Sequence, residues 1–267
     1  ILPICITLIL ILENNFIKKN YLKELIILIS FILVLLSSER VAMGYFLIFI
    51  FFYFFTLNKY HQKIFILVSS LFIFTTLIIF PKNIQKIYES VIWQSKDKKD
   101  FFYYKAPDKN VRITVTKSQS DRILFFSRKH ENMVITSFHI FKENLFFGTG
   151  IKTFRIECKN YNKQIKEKEK CDTHPHNTYA QILSETGIFS FFIVAYLFLK
   201  LLYENFKIMF TKERKNKDKL ILISNCGVIL PLMPIIPSGS FYNNWISCLI
   251  FFALIFNFYV KKKFSTL

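Results

Sequence analysis

Acidic residues are scarce in this chain, with 18 Asp and Glu against 36 Lys and Arg in 267 residues and a net charge of +18. No Cys-x-x-Cys occurs, no internal repeat is visible, and the opening ILPICITLILIL has neither a basic start nor a small-residue cleavage site. The first absence speaks against a zinc-ribbon use of the cysteines. The second speaks against a transporter built from paired repeats. The third means that the opening does not read as a signal peptide. Its twelve apolar residues are also too few to cross a hydrocarbon core that needs about 20. The expectation is the tail of a severed transmembrane helix, with further spans before it. What the chain has in excess is apolar surface, at 52% hydrophobic and 18% aromatic residues, including 33 Phe. A soluble domain of this size does not usually bury that much, so the composition points to a polytopic membrane protein.

Apolar runs of spanning length lie at 21–38, 41–57, 64–80, 179–203, 220–236 and 244–260. They divide the chain into transmembrane helices at 1–80, one large polar loop at 81–178, and three C-terminal transmembrane helices within 179–267. Fourteen Lys and Arg, including Lys18, Lys59, Arg214 and Lys261, fall in short loops on one side, whereas the short turns of the other side carry only Arg40. Basic short loops stay in the cytoplasm, so the large loop and the Arg40 turn face outward and the C-terminus inward. The loop's own 20 basic and 11 acidic residues, a net +9, do not oppose this, because long loops translocate regardless of charge. An outward basic loop beside a bilayer suits anionic headgroups or a lipid-linked pyrophosphate rather than nucleic acid, or simply a solvated lysine-rich surface.

Cys5, Cys226 and Cys248 lie in apolar runs and read as small packing residues. Cys158 and Cys171 flank the hydrophilic stretch KNYNKQIKEKEK, 13 positions apart, and in an oxidising compartment read as a disulfide. A zinc site from Cys158, Cys171, His174 and His176 is the rival, permitted by the His-x-His spacing. Earlier in the loop, Met133, Val134, Phe138 and Phe141 recur at helical spacing from about 129 to 143, predicting an amphipathic helix on the bilayer or the bundle. It stops at FFGTG, where Gly148 and Gly150 can supply positive φ. Arg128 and His130 stand at its start, and Arg155 follows the glycine turn.

The segment CDTHPHNTYAQILSETG places two imidazoles at the mouth of the next span. Pro175 biases His174 to an extended conformation, and Asn177 or Thr178 can cap the helix that follows. The helix end favours an anion, and an imidazole beside it is kept neutral and ready to accept a proton. Gly187, eleven residues on, is expected on the same face as His176 as a close-packing glycine, with Glu185 turned to the bundle interior. Arg40 is pinned at the outer boundary, where Glu39 or a phosphate is its natural partner.

The short S-S-x-R turn, the loop helix ending at G-T-G, and HNTYAQILSETG together resemble the O-antigen ligase and O-antigen polymerase superfamily, over nearly the whole chain. PSGSFYNNW before the last span is similar to some polymerase-like members. The resemblance implies an all-α integral membrane fold, a GT-C-like transmembrane bundle with one large periplasmic loop containing an amphipathic helix. It implies a multi-pass protein of the bacterial inner membrane that moves glycan from undecaprenyl pyrophosphate to a lipid-linked glycan or lipid A-core acceptor, without metal or other cofactor. His176 matches the motif histidine, Arg40 the arginine between spans, and Arg128 approximately the loop arginine. Gly44 stands where the ligase pattern has Leu, and aligning the glycine turn brings His130 to the loop arginine's place, with Arg122 a further candidate. His174, Arg122, His130, Arg155 and Glu185 are the expected substrate-binding set. Polymerase, ligase and protein O-oligosaccharyltransferase share these motifs. The competing reading is a membrane transporter or lipid-glycan carrier using Arg40 and Glu185.

Overall fold

The computed structural model describes residues 21–37, 40–57, 60–63, 66, 128–164, 171–234 and 236–265. Within these residues the chain is helical and contains no strand. The expected span at 64–80, the Glu39 partner, Arg122 and the opening run fall outside the described residues, Ile66 excepted.

Helices α1 (Tyr21–Ser37) and α2 (Arg40–Phe54) are apolar along most of their length, with charged residues only in their first turns, as suits helices bathed in lipid or buried in a bundle. The long helix α5 (Thr178–Met209) begins at Asn177, whose side chain accepts from the Tyr179 and Ala180 N–H groups, 3.0 Å each. That cap satisfies two of the donors a helix start leaves free. Helix α6 (Asn216–Ile229) stops at Leu230, directly before Pro231, because proline lacks the N–H and crowds the preceding turn. The apolar run expected to span at 220–236 is therefore a shorter helix followed by an irregular segment that leads to α7 (Asn244–Ser265). The stretches Thr178–Met209 and Asn244–Lys263 are long and apolar enough to cross a membrane, and Val41–Phe54 is a shorter apolar helix.

Helices α2, α5, α6 and α7 meet in one core around Phe52, Phe198, Leu201, Leu222, Cys226 and Ala253. Inside it runs a polar chain: Asn257 donates to Ser224 and to Asn225, and Asn225 donates to Asn205 and Glu204. Lys261 pairs with Glu204 at its end. Buried amides satisfied in this way tie three helices together where lipid offers no competing partner.

The described part of the large loop forms a small module. Helix α3 (Arg128–Glu143) and helix α4 (Phe154–Gln164) pack through Met133, Ile140, Phe154 and Cys158. The buried face of α3 is Met133, Thr136, Ser137 and Ile140, while Phe138 is exposed. The expected stripe of Met133, Val134, Phe138 and Phe141 is thus rotated from the one that packs. Thr136 and Ser137 take the inner face, and the Ser137 hydroxyl donates to the Met133 carbonyl, 2.8 Å, so its burial leaves no donor unpaired. Cys158 and Cys171 are joined by a disulfide, which removes both thiolates from the rival zinc set.

Candidate functional site

The mouth of α5 is assembled from three segments distant in sequence. The first is the turn Cys171–Asn177, stapled to α4 by the disulfide. The second is α3. The third is the strap Ser238–Tyr242 that leads into α7.

The strap is laced to α5 rung by rung. Ser238 N donates to the His176 carbonyl, 2.9 Å, and Thr178 Oγ1 donates to Ser238 Oγ, 2.8 Å. Gln181 donates to Ser240 Oγ and accepts from Phe241 N, and the Thr186 hydroxyl meets the Tyr242 phenol at 2.8 Å. Asn177 and Tyr179 add bonds to the carbonyls of Pro234 and Leu232. The strap fixes His176 from its backbone side.

Helix α5 is broken at Gly187, which has φ +77° and ψ −171°. The Ser184 and Glu185 carbonyls beside the break accept from Thr149 N and Gly150 N at 3.0 and 2.9 Å, and Ile188 N donates to Leu145 O at 2.9 Å. The glycine turn of the large loop is therefore inserted into the helix. A β-carbon at Gly187 would lie 2.2 Å from Phe146 O, and one at Gly148 would lie 2.4 Å from the Glu185 carbonyl carbon. Gly187 is close-packed, but as a break; the expected common face with His176 does not exist, because α5 starts after His176 and turns off at Gly187. Glu185 is fully buried, accepting from Phe154 N at 3.0 Å and from Gln181 at 3.1 Å. Its carboxylate meets the N-terminus of α4, where the helix dipole favours negative charge.

Three imidazoles converge at the mouth. The His176 ring lies 4.3 Å from that of His174 and 4.9 Å from that of His130, centroid to centroid. His176 Nε2 is 2.9 Å from Asp172 Oδ2, both side chains about a quarter exposed. Its backbone has φ +56°, a conformation costly for a residue with a β-carbon and held by surrounding structure. His174 has its pKa lowered, first by burial and then by the neighbouring His176. Its Nε2 is buried with no hydrogen-bond partner among the described residues, while Nδ1 is 3.0 Å from Thr173 Oγ1. Among the described residues no three His, Cys, Asp or Glu side chains are placed to hold a metal ion.

Beneath the mouth is a largely apolar cavity of about 360 Å³, lined by Ala42, Tyr45, Thr178, Ser238, Ile246 and Ile250 among others. Ala42 and Tyr45 belong to the first turns of α2, so Arg40, which opens that helix, enters at the end of the bundle where His176 stands. Arg128 opens α3 two residues before His130. Arg155 is exposed on α4 and makes no hydrogen bond or ion pair among the described residues. The sequence reading did not single out Asp172, Gln181 or the strap as site elements. Asp172 left a local signal, a carboxylate four residues before a histidine in a turn. The strap was visible as the turn in PSGSFYNNW, but its pairing with Gln181 left no signal, since it spans about 60 residues.

No curated protein and no solved structure matches the chain. The family described as O-antigen ligase matches residues 25–195, a stretch that holds most of α1, all of α2, the loop module, the histidine turn at 171–177 and the break at Gly187. That match covers well over half of the sequence, and the chain belongs to the O-antigen ligase family.

Proposed function

We propose that the chain is a membrane glycosyltransferase that moves a glycan from undecaprenyl pyrophosphate to a lipid-linked glycan or lipid A-core acceptor on the periplasmic face. The observation that carries this reading is His176, fixed at the α5 mouth by Asp172 and by the strap, inside the family match. His176 takes the proton of the acceptor hydroxyl as that oxygen attacks the anomeric carbon. General-base help of this kind is worth roughly 10² to 10⁴ in rate. Arg40 and a loop arginine, Arg128 by position, hold the pyrophosphate and stabilise the charge that develops on it, so the reaction is assigned no metal. The cavity lined by Ala42, Tyr45 and Ile250 offers apolar lining for a prenyl or acyl chain next to the mouth, which supports a lipid-borne substrate. Holding both lipid-anchored partners there supplies the proximity term.

The test compares wild type, His176→Ala and Arg40→Ala at equal membrane level in a host lacking the gene, with the surface-glycan ladder as readout. Both variants are expected to lose transfer while still inserting. Collapse to single-repeat species assigns polymerase, the activity favoured by Gly44 and by PSGSFYNNW; long chains retained on the carrier assign ligase. An unchanged ladder in either variant removes that residue from the mechanism. The transporter reading gains nothing from the broken helix, because the Ser184 and Glu185 carbonyls at the break are already engaged by Thr149 and Gly150.

A further inference from the structure

We infer that Asp172 is a positioning residue that selects the tautomer of His176, so that Nδ1 and not Nε2 is the nitrogen that receives the acceptor's proton. The inference rests on the general-base reading of His176. Asp172 Oδ2 lies 2.9 Å from His176 Nε2, and an ionised carboxylate can only accept, so Nε2 carries the hydrogen. In a neutral imidazole the lone pair then sits on Nδ1. His176 Nδ1 makes no hydrogen bond among the described residues, and Nε2 is already committed.

The remaining neighbours do not offer an equivalent partner for Nε2. His130 and His174 approach as ring contacts. Ser238 binds the His176 backbone and not its ring. His174 is itself biased to its neutral form, and Asp172 is a carboxylate in direct contact with the His176 ring. Asp172 is held where this requires. It follows Cys171, whose disulfide ties it to the buried Cys158 of α4, and α4 is capped by Glu185 of the broken helix.

In the step itself the acceptor O–H bond breaks and its proton goes to Nδ1. The oxygen bonds to the anomeric carbon, and the bond from that carbon to the pyrophosphate oxygen breaks with its electron pair on the leaving pyrophosphate. The imidazolium formed has Nε2–H directed at Asp172, which orients the ring and offsets the charge without taking the proton.

Asp172→Asn, in the full-length protein reconstituted with purified lipid-linked glycan and acceptor, is expected to lower kcat roughly 10- to 10³-fold, with KM for both substrates unchanged within about twofold. Asp172→Glu is expected to recover part of that loss. Wild-type kcat in Asp172→Asn, alongside an inactive His176→Ala, overturns the positioning role and leaves the general base standing. An active His176→Ala overturns both. A readout independent of variant folding is the nitrogen-15 spectrum of histidine-labelled wild-type protein, with the His176 signals identified by their loss in His176→Gln. Nε2–H with an unprotonated Nδ1 is the expected pattern, and the opposite tautomer refutes the inference.

Discussion

His174 is the residue whose environment most clearly sets a pH dependence. Burial and the positive charge that His176 can carry both disfavour its protonated form, His130 adds to this, and the Ser238 backbone and Asp172 oppose it. Its folded pKa therefore lies below the ordinary 6.5. The unfolded chain takes up this proton first as pH falls, so stability at the mouth is full above about 6.5 and declines as pH drops through that value towards the folded pKa. Melting curves of the detergent-solubilised protein should fall between pH 7.5 and pH 5.5, and His174→Gln should flatten that fall. An identical fall in the variant would assign the pH dependence to other groups. The sequence placed both histidines at a helix mouth, and a run such as HPHNT announces that much by its proline and its capping residue. It could not announce that His130, 46 positions before His176, would complete the cluster, because that contact depends on how α3 packs against α5.

At the scale of elements, the decisive device is the glycine turn inserted into α5. Gly187 at φ +77° and Gly148 at φ +65° face each other's backbones across the break, each with less than 3 Å for a β-carbon. Gly187→Ala adds a left-handed strain of about 1–3 kcal/mol to a backbone clash that no rotamer relieves. Loss of at least about 2 kcal/mol is expected, read as a lower melting temperature and a lower membrane level, with Gly148→Ala similarly affected. Gly44→Ala, whose β-carbon would meet Ile236 Cδ1 at 3.4 Å, should be tolerated. Equal stability of all three would mean that the inserted turn is dispensable. The sequence made the glycine turn and the long apolar run visible separately. Their union was hidden, because hydropathy reads 179–203 as one span and averages over a single unwound residue. The rotated face of α3 was missed for a related reason: Thr136 and Ser137 count as polar in a periodicity test, although Ser137 buries itself by bonding to Met133 O. Proline gave a truer signal in α6, where Pro231 follows the helix end at Leu230, but the apolar run continued past it to 236 and concealed how early the helix stops.

At the scale of the molecule, the described residues divide into an apolar bundle and a loop module that share α5. From Phe189 onward α5 exposes large apolar side chains such as Phe192, Ile193 and Leu199, whereas Thr178 to Glu185 are mostly enclosed by protein. The exposed Trp245 at the start of α7 lies beside Asn244, which Lys152 of the glycine turn reaches at 3.4 Å. The exposed apolar surface of α5 thus begins near the break, and the first part of α5 separates it from the histidines by on the order of 14 Å, nine residues at 1.5 Å each. Such a height suits a headgroup carrying sugar outside the hydrocarbon, provided that this end of the bundle faces away from the cytoplasm. The distribution of basic residues argues for that orientation, and the disulfide supplies an independent check, since a pairing of Cys158 with Cys171 persists only in an oxidising compartment. Cells quenched in acid, denatured and alkylated before and after reduction should show two additional reactive thiols only after reduction. The Cys158→Ser, Cys171→Ser double variant should lose that difference. It should also lower transfer, because Asp172 would be freed from its anchor along with about 3 kcal/mol of loop-closure stabilisation. If both thiols react before reduction in otherwise active cells, the loop module lies in the cytoplasm. The periplasmic site at the α5 mouth would then be excluded at one stroke.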